Sequence, residues 1–419
     1  MSITVQAPTK NAVPTVPTTA VIVCHGMGQQ VRFETLEVLA SAILSQASRV
    51  ISRRVGLVQS SDGALARSEL ICADSDGKTY SIHLYEAYWA PLTEGQIALK
   101  ETFKFLWDGG KRGLKASWKG GFERWLFGDM RPLTLTRGTG VKIGFALLAI
   151  IILFASIIGW SLSVFIVLGC MVHNFWEGRS VSSSIGACIS VFGRVFWIPA
   201  WILIGWLLRK ARNFLVQFVG DVAIYVSAYT VSRFYDIRHR IQQVGVSVAK
   251  TVYGANYDRV IVVGHSLGSV LAYDTLNAMF NEDILTQGTY KVRETTRALI
   301  TCGSPLDKTA FIFRTQLAVA NPEIREALAA AMQPLIVDYA FRTIPVLRAL
   351  GPTMFEWVNV YSRRDIISGS LEYYDWQPPA GLAVRNVKDV LAPISPIKAH
   401  TGYWDRSALR MELWKAIVT

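Results

Sequence analysis

Ser266 stands in Gly264-His265-Ser266-Leu267-Gly268, a serine between two glycines at the G-x-S-x-G spacing of a strained strand-to-helix corner. A serine hydroxyl becomes a useful nucleophile when a base takes its proton and a carboxylate orients that base. His400 is the only histidine C-terminal to Ser266, so chain order selects it as the base. Asp365, in Ser362-Arg363-Arg364-Asp365, is the expected acid, and Asp307 is the alternative. Far upstream, His25-Gly26-Met27-Gly28 has the HG-x-G pattern of a loop that lends a backbone N–H to a developing oxyanion. Met27 and Leu267 are therefore the expected oxyanion donors, with Gly26, Gly28, Gly264 and Gly268 giving the two turns room. The other reading of the early loop is an ordinary glycine-rich turn in which His25 only packs. The chemistry these residues would carry is acyl transfer through a serine ester.

Such groups work only if rigid elements converge on one point, and the apolar patterning supplies candidates. Asp258 to Val263 and Thr19 to Cys24 are short β-branched runs that read as buried strands ending at Ser266 and at His25. The segment after Ser266 reads as an apolar helix, so Leu267 lies at the positive end of its dipole. Gln30 to Arg54 is periodic in the helical sense, and Tyr80 to Tyr88 has strand character, with His83 packing or hydrogen bonding inside it. Ser232 to Val252 reads as an amphipathic helix with His239 on its solvated side. Leu299 to Cys302, Glu356 to Tyr361 and Val384 to Val387 read as further strands, and residues 308–350 as helical. Asp221 either holds a loop or touches the site. The expected class is α/β, a mostly parallel sheet flanked by helices.

The chain has 419 residues, 51% hydrophobic, and a formal net charge of +12. Both excesses are local. Lys100 to Lys142 holds ten Lys/Arg against Glu101, Asp108, Glu123 and Asp129. Directly after it, Ile143 to Trp176 has no Asp, Glu, Lys or Arg, and as a helix it would span about 51 Å against a hydrocarbon core of about 30 Å. A second apolar zone, Val181 to Leu208, contains Arg194 and Pro199, and Arg209, Lys210 and Arg212 follow it. Basic clusters outside both ends of an apolar pair give a hairpin with both ends cytosolic. The alternative is a soluble apolar cap or lid that only dips into the interface, a peripheral association. The basic segment then reads as a surface for anionic lipid, which leaves nucleic acid as an unneeded partner.

Five cysteines, Cys24, Cys72, Cys170, Cys188 and Cys302, are scattered and lie mostly in apolar runs, which suggests buried free thiols with no disulfide framework or metal spacing. The expected organisation is a tail over 1–19, a first core part over 20–91, an inserted basic segment and hairpin over 92–219, and a second core part over 220–419.

Taken together with Gly303-Ser304-Pro305-Leu306 and Ala399-His400-Thr401-Gly402-Tyr403-Trp404, these motifs resemble the α/β-hydrolase superfamily. Within it the chain is similar to the lipase and serine-esterase branch, including bacterial membrane-associated hydrolases and secretion-system lipase effectors. The resemblance covers residues 20–91 and 220–405 and leaves out the apolar hairpin. It implies a Ser266, Asp365, His400 triad, Met27 and Leu267 as oxyanion donors, no metal and no cofactor. The expected function is a membrane-anchored serine hydrolase, a lipase or phospholipase whose substrate and anchor are both membrane lipid. A tethered thioesterase or acyltransferase, or a non-catalytic membrane scaffold, is the alternative.

Overall fold

The computed structural model of the chain describes residues 18–28, 30–61, 63–96, 220–226, 232–306, 308–309, 355–365, 367–371 and 384–419, with isolated positions between 101 and 209. The chain divides into two compact units. One comprises Met1–Ile97, Arg112–Leu133 and Asp221–Thr419, and the other Ala98–Lys111 and Thr134–Gly220. The expected apolar spans, Ile143 to Trp176 and Val181 to Leu208, lie outside the described residues apart from isolated positions. Among the described residues no helix is long and apolar enough to cross a membrane.

The first unit is built on an eight-stranded, mostly parallel sheet. Its strands are β1 (Thr18–Cys24), β2 (Arg49–Ser60), β3 (Gly63–Ala73), β4 (Thr79–Ala87), β5 (Arg259–His265), β6 (Thr296–Cys302), β7 (Glu356–Tyr361) and β8 (Arg385–Lys388), in the spatial order β2-β3-β4-β1-β5-β6-β7-β8. Strands from β4 through β8 pair in parallel, and β2 and β3 add an antiparallel edge. The apolar runs of β1 and β5 are buried on both faces, which is why they lack polar alternation.

Helices cover both faces. On one, α1 (Glu34–Leu44) and the C-terminal α6 (Ser407–Val418) pack Leu39, Ile43, Leu409 and Leu413 onto Val21, Val23, Ile261, Val263 and Ile300. The opposite-facing residues of the same strands meet α3 (Ser232–Tyr253) and α4 (Leu267–Leu285), with Tyr273 of α4 against Trp357 of β7 at 5.4 Å between ring centroids. Because α4 is enclosed on nearly all sides, its sequence is apolar around most of its circumference. A short α2 (Gly220–Val226) precedes α3, and α5 (Pro396–Thr401) follows β8.

One expectation fails here. The helical reading of Gln30 to Arg54 holds only for Glu34–Leu44, and Arg49–Ser60 is instead strand β2. Its pairing with β3 decides the matter, with Glu69 accepting ion pairs from Arg54 at 3.1 Å and Arg67 at 2.6 Å. That cross-strand partner is invisible to a local period, so tertiary pairing overrides propensity.

After β1 the chain moves to one side of the sheet, and after β5 it moves to the other. The strand order therefore reverses at the carboxyl ends of β1 and β5, the place where ligands bind in open α/β sheets.

Candidate active site

Ser266 leaves β5 with φ 54° and ψ −130°, strained for a residue with a Cβ, and the next residue begins α4. Its N–H donates to Cys302 O at 2.9 Å, and its carbonyl accepts from the Ser269 N–H at 2.9 Å and the Ser269 hydroxyl at 2.5 Å. The flanking glycines are required by space. A Cβ on Gly264 would lie 2.4 Å from Ser269 Cα, and one on Gly268 would lie 2.2 Å from the carbonyl oxygens of both Cys24 and His25. Gly268 is therefore the contact that lets α4 close against the end of β1.

The structure brings Ser266, His400 and Asp365 into one hydrogen-bonded chain. His400 Nε2 lies 2.8 Å from Ser266 Oγ, and His400 Nδ1 lies 2.9 Å from Asp365 Oδ2. An ionised carboxylate only accepts, so Nδ1 carries the proton and Nε2 is left to accept from the serine hydroxyl. All three residues are buried. Asp365 is further held by Tyr403 OH on Oδ2 at 3.0 Å and by the N–H groups of Ile367 at 2.8 Å and Ser368 at 3.3 Å on Oδ1. Burial alone would raise its pKa, but the hydrogen bond and charge of His400, with the other donors, bring it down to about 2. The carboxylate stays ionised at neutral pH. Asp307, the alternative acid, lies outside the described residues.

The β1 loop sits directly beside this chain. A Cβ on Gly26 would come within 3.1 Å of Ser266 Cβ, so Met27 follows a backbone contact with the serine. Among the described residues no protein group accepts from the N–H of Met27 or of Leu267. Gly28 takes φ 96°, in the region glycine favours, and donates its N–H to Asp221 Oδ2 at 2.7 Å. Asp221 therefore holds a loop. Burial raises its pKa to about 6, against the hydrogen bonds from Gly28 and Thr93.

His25 packs the same loop. Trp89 donates its backbone N–H to His25 Nε2 at 3.0 Å, so the proton sits on Nδ1 and is given to Gly26 O at 2.8 Å. The ring stacks on the Trp89 indole at 4.9 Å, and burial lowers its pKa to about 4. His83 bonds the hydroxyl of Tyr257 at 2.7 Å.

Several positioning groups carry no local sequence signal. His265 donates from Nε2 to the carbonyl of His400 at 2.9 Å and is kept neutral by burial, with a pKa of about 4. Arg406 donates to the carbonyls of Lys398 and Ala399 at 2.8 and 2.7 Å, ending α5 beside His400, and pairs with the buried Asp389 at 2.7 Å. Tyr403 stands three residues after His400 in the same short motif, but beyond the end of α5 at Thr401, in a separate turn over Tyr403–Asp405.

Cys24, Cys72 and Cys302 are buried free thiols, and burial pushes the Cys24 thiol up to about 12. Among the described residues no group of three or more His, Cys, Asp or Glu is placed to hold a metal ion. No family model, curated protein or solved structure matches the chain.

Proposed function

We propose that the protein is a membrane-anchored serine hydrolase of the α/β-hydrolase kind that cleaves carboxylic esters of membrane lipids. The observation that carries this reading is the hydrogen-bonded chain Ser266, His400, Asp365 with the serine on a strained turn. In the proposed cycle His400 Nε2 takes the hydroxyl proton as Ser266 Oγ bonds to the ester carbonyl carbon. The oxyanion that forms is held by the N–H groups of Met27 and Leu267, helped by the amino end of α4. When the tetrahedral intermediate collapses, the C–O bond to the alcohol breaks and His400 returns the proton to that leaving oxygen. Water then attacks the acyl-serine by the same route, releasing fatty acid and restoring Ser266. Asp365, ionised throughout, stabilises the imidazolium that forms twice in each cycle.

Lipid is the favoured substrate class because the inserted segment joins a basic stretch to two long apolar runs. These would hold the site against the cytosolic leaflet. Fatty-acid release from phospholipid vesicles by the detergent-purified chain, with Ser266→Ala beside it, tests the proposal. Serine-dependent release supports a lipase. Activity confined to soluble esters or thioesters would move the reading to a tethered esterase or thioesterase, and transfer to an added alcohol would make it an acyltransferase.

A further inference from the structure

The segment between β8 and α5 delivers His400 to the site, and it turns large aliphatic side chains toward water. Val390, Leu391 and Ile394 are 67%, 75% and 84% exposed, and Ile397, one turn before His400, is 54% exposed. The backbone beneath them is pinned. Asp389 N donates to Tyr361 O at 2.7 Å, and the Asp389 carboxylate accepts from Leu391 N at 3.0 Å and from Arg406 at 2.7 Å. Ala392 is buried, and its carbonyl accepts from the Arg364 guanidinium. Pro393 and Pro396 restrict the chain further. A fold that fixes a backbone this firmly while leaving four neighbouring aliphatics outside has the mark of an interaction surface.

Its charge says what that surface meets. Among the described residues of 361–371 and 384–402 the acids are Asp365 and Asp389, both buried and both committed to internal partners. Arg363, Arg364, Lys388 and Lys398 are exposed around the same loops, and the Arg364 contact with Ala392 joins the two loops into one surface. Apolar tips with a cationic rim match acyl chains beneath anionic headgroups. A second copy of this chain fits poorly, because an isologous pairing sets the same cations against one another.

We propose that this loop docks the site onto an anionic bilayer, with Val390, Leu391, Ile394 and Ile397 entering the acyl region and Arg363, Lys388 and Lys398 at the headgroups. The proposal rests on the reading of the protein as one that acts on membrane lipid. It adds an element, separate from the apolar hairpin, that orients the site: Ile397 is three residues from His400, so docking brings the base within one helical turn of the lipid surface.

The test uses the full chain carrying Ser266→Ala, reconstituted in phosphatidylcholine bilayers with and without phosphatidylglycerol. An environment-sensitive fluorophore is placed through Ile394→Cys, and the chain without that substitution is labelled in parallel. Leu285→Cys is the control: Leu285 is 81% exposed, but it ends α4 at the far, amino side of the sheet. Phosphatidylglycerol-dependent blue shift and quenching by spin-labelled lipid at 394, and not at 285, is the expected result. Equal behaviour at the two positions would overturn the proposal, as would a shift at 394 that follows protein concentration in place of lipid composition. No turnover is needed for this readout, so it stands or falls apart from the hydrolase reading. In the active chain, Leu391→Asp with Ile394→Asp should lower the rate on anionic vesicles by about tenfold or more and leave soluble short-chain ester turnover unchanged. An equal loss on both substrates would point to a structural role for the loop and contradict docking.

Discussion

Arg406→Met removes the clamp at the end of α5 and should cost the fold about 3–5 kcal/mol, the penalty for stranding one member of a buried ion pair. Arg406 is 9% exposed and Asp389 4% exposed, and their contact is 2.7 Å. Methionine keeps much of the side-chain length over the Tyr403 ring, where the guanidinium now sits 4.6 Å from the centroid. Among the described residues it leaves the Asp389 carboxylate with the Leu391 amide alone; it also removes the side-chain donor from the carbonyls of Ala399 and Lys398, the latter keeping the Gly402 N–H at 3.2 Å. Adding Asp389→Leu removes the stranded charge, so the double variant should regain most of that loss of about 3–5 kcal/mol. The catalytic consequence follows from position: with α5 loosened, His400 drifts from Ser266, and a misplacement near 1 Å costs up to about 100-fold in kcat. Denaturant unfolding of the purified variants reads the first effect, and turnover of a soluble ester reads the second. A loss below about 1 kcal/mol, the range of a solvent-screened pair, or a double variant no more stable than the single, would refute the reasoning.

Other expectations follow from the same geometry. Asp365→Asn should lower kcat by about 10⁴-fold, because an amide no longer fixes the His400 tautomer; normal turnover, measured with Asp307→Asn alongside, would remove Asp365 from the site. Asp221→Ala frees the Gly28 N–H and should cut kcat by about tenfold through the Met27 loop, with Asp221→Asn restoring much of it because its carbonyl still accepts. Stability should fall on acidification. His25, His83 and His265 are each lowered from 6.5 to about 4, chiefly by burial, so what each contributes is complete above pH 6.5 and is lost as pH falls toward 4. Asp365 adds a second loss between pH 3.8 and about 2. Asp221, raised to about 6, opposes the first trend by losing an unfavourable charge. The histidines dominate by number, so the unfolding midpoint should drop between pH 7 and 4, and a flat profile would contradict their buried neutral state.

The legible parts of the chain were those whose signal is local. Glu356–Tyr361 is a strand within the bounds its apolar run implies, and β1 and β5 lie where the β-branched runs end in glycine turns. The G-x-S-x-G corner marks Ser266, chain order marks His400, and the loop after the Glu356–Tyr361 strand favours Asp365 over Asp307; the structure joins Ser266, His400 and Asp365 by hydrogen bonds. Long-range partners could not be read. Asp221 meets Gly28 across 193 residues, and His265 meets the carbonyl of His400 across 135. The β2–β3 edge is hidden for a related reason: its Arg-rich, largely exposed strand lacks a buried face, and its arginines find their partners at a distance, Arg54 on Glu69 across the hairpin and Arg53 on Glu37 of α1. In the same way, the exposed aliphatics of 390–397 look like core residues until their burial is known.

Covalent labelling tests most directly whether Ser266 is an activated nucleophile. The folded full-length chain is treated with a fluorophosphonate probe, with Ser266→Ala and His400→Ala in parallel, and the modified peptide is identified by mass. Labelling should be confined to Ser266, abolished by Ser266→Ala and strongly slowed by His400→Ala. Labelling that persists in Ser266→Ala, or a folded wild-type chain that takes up no probe, would contradict an activated Ser266.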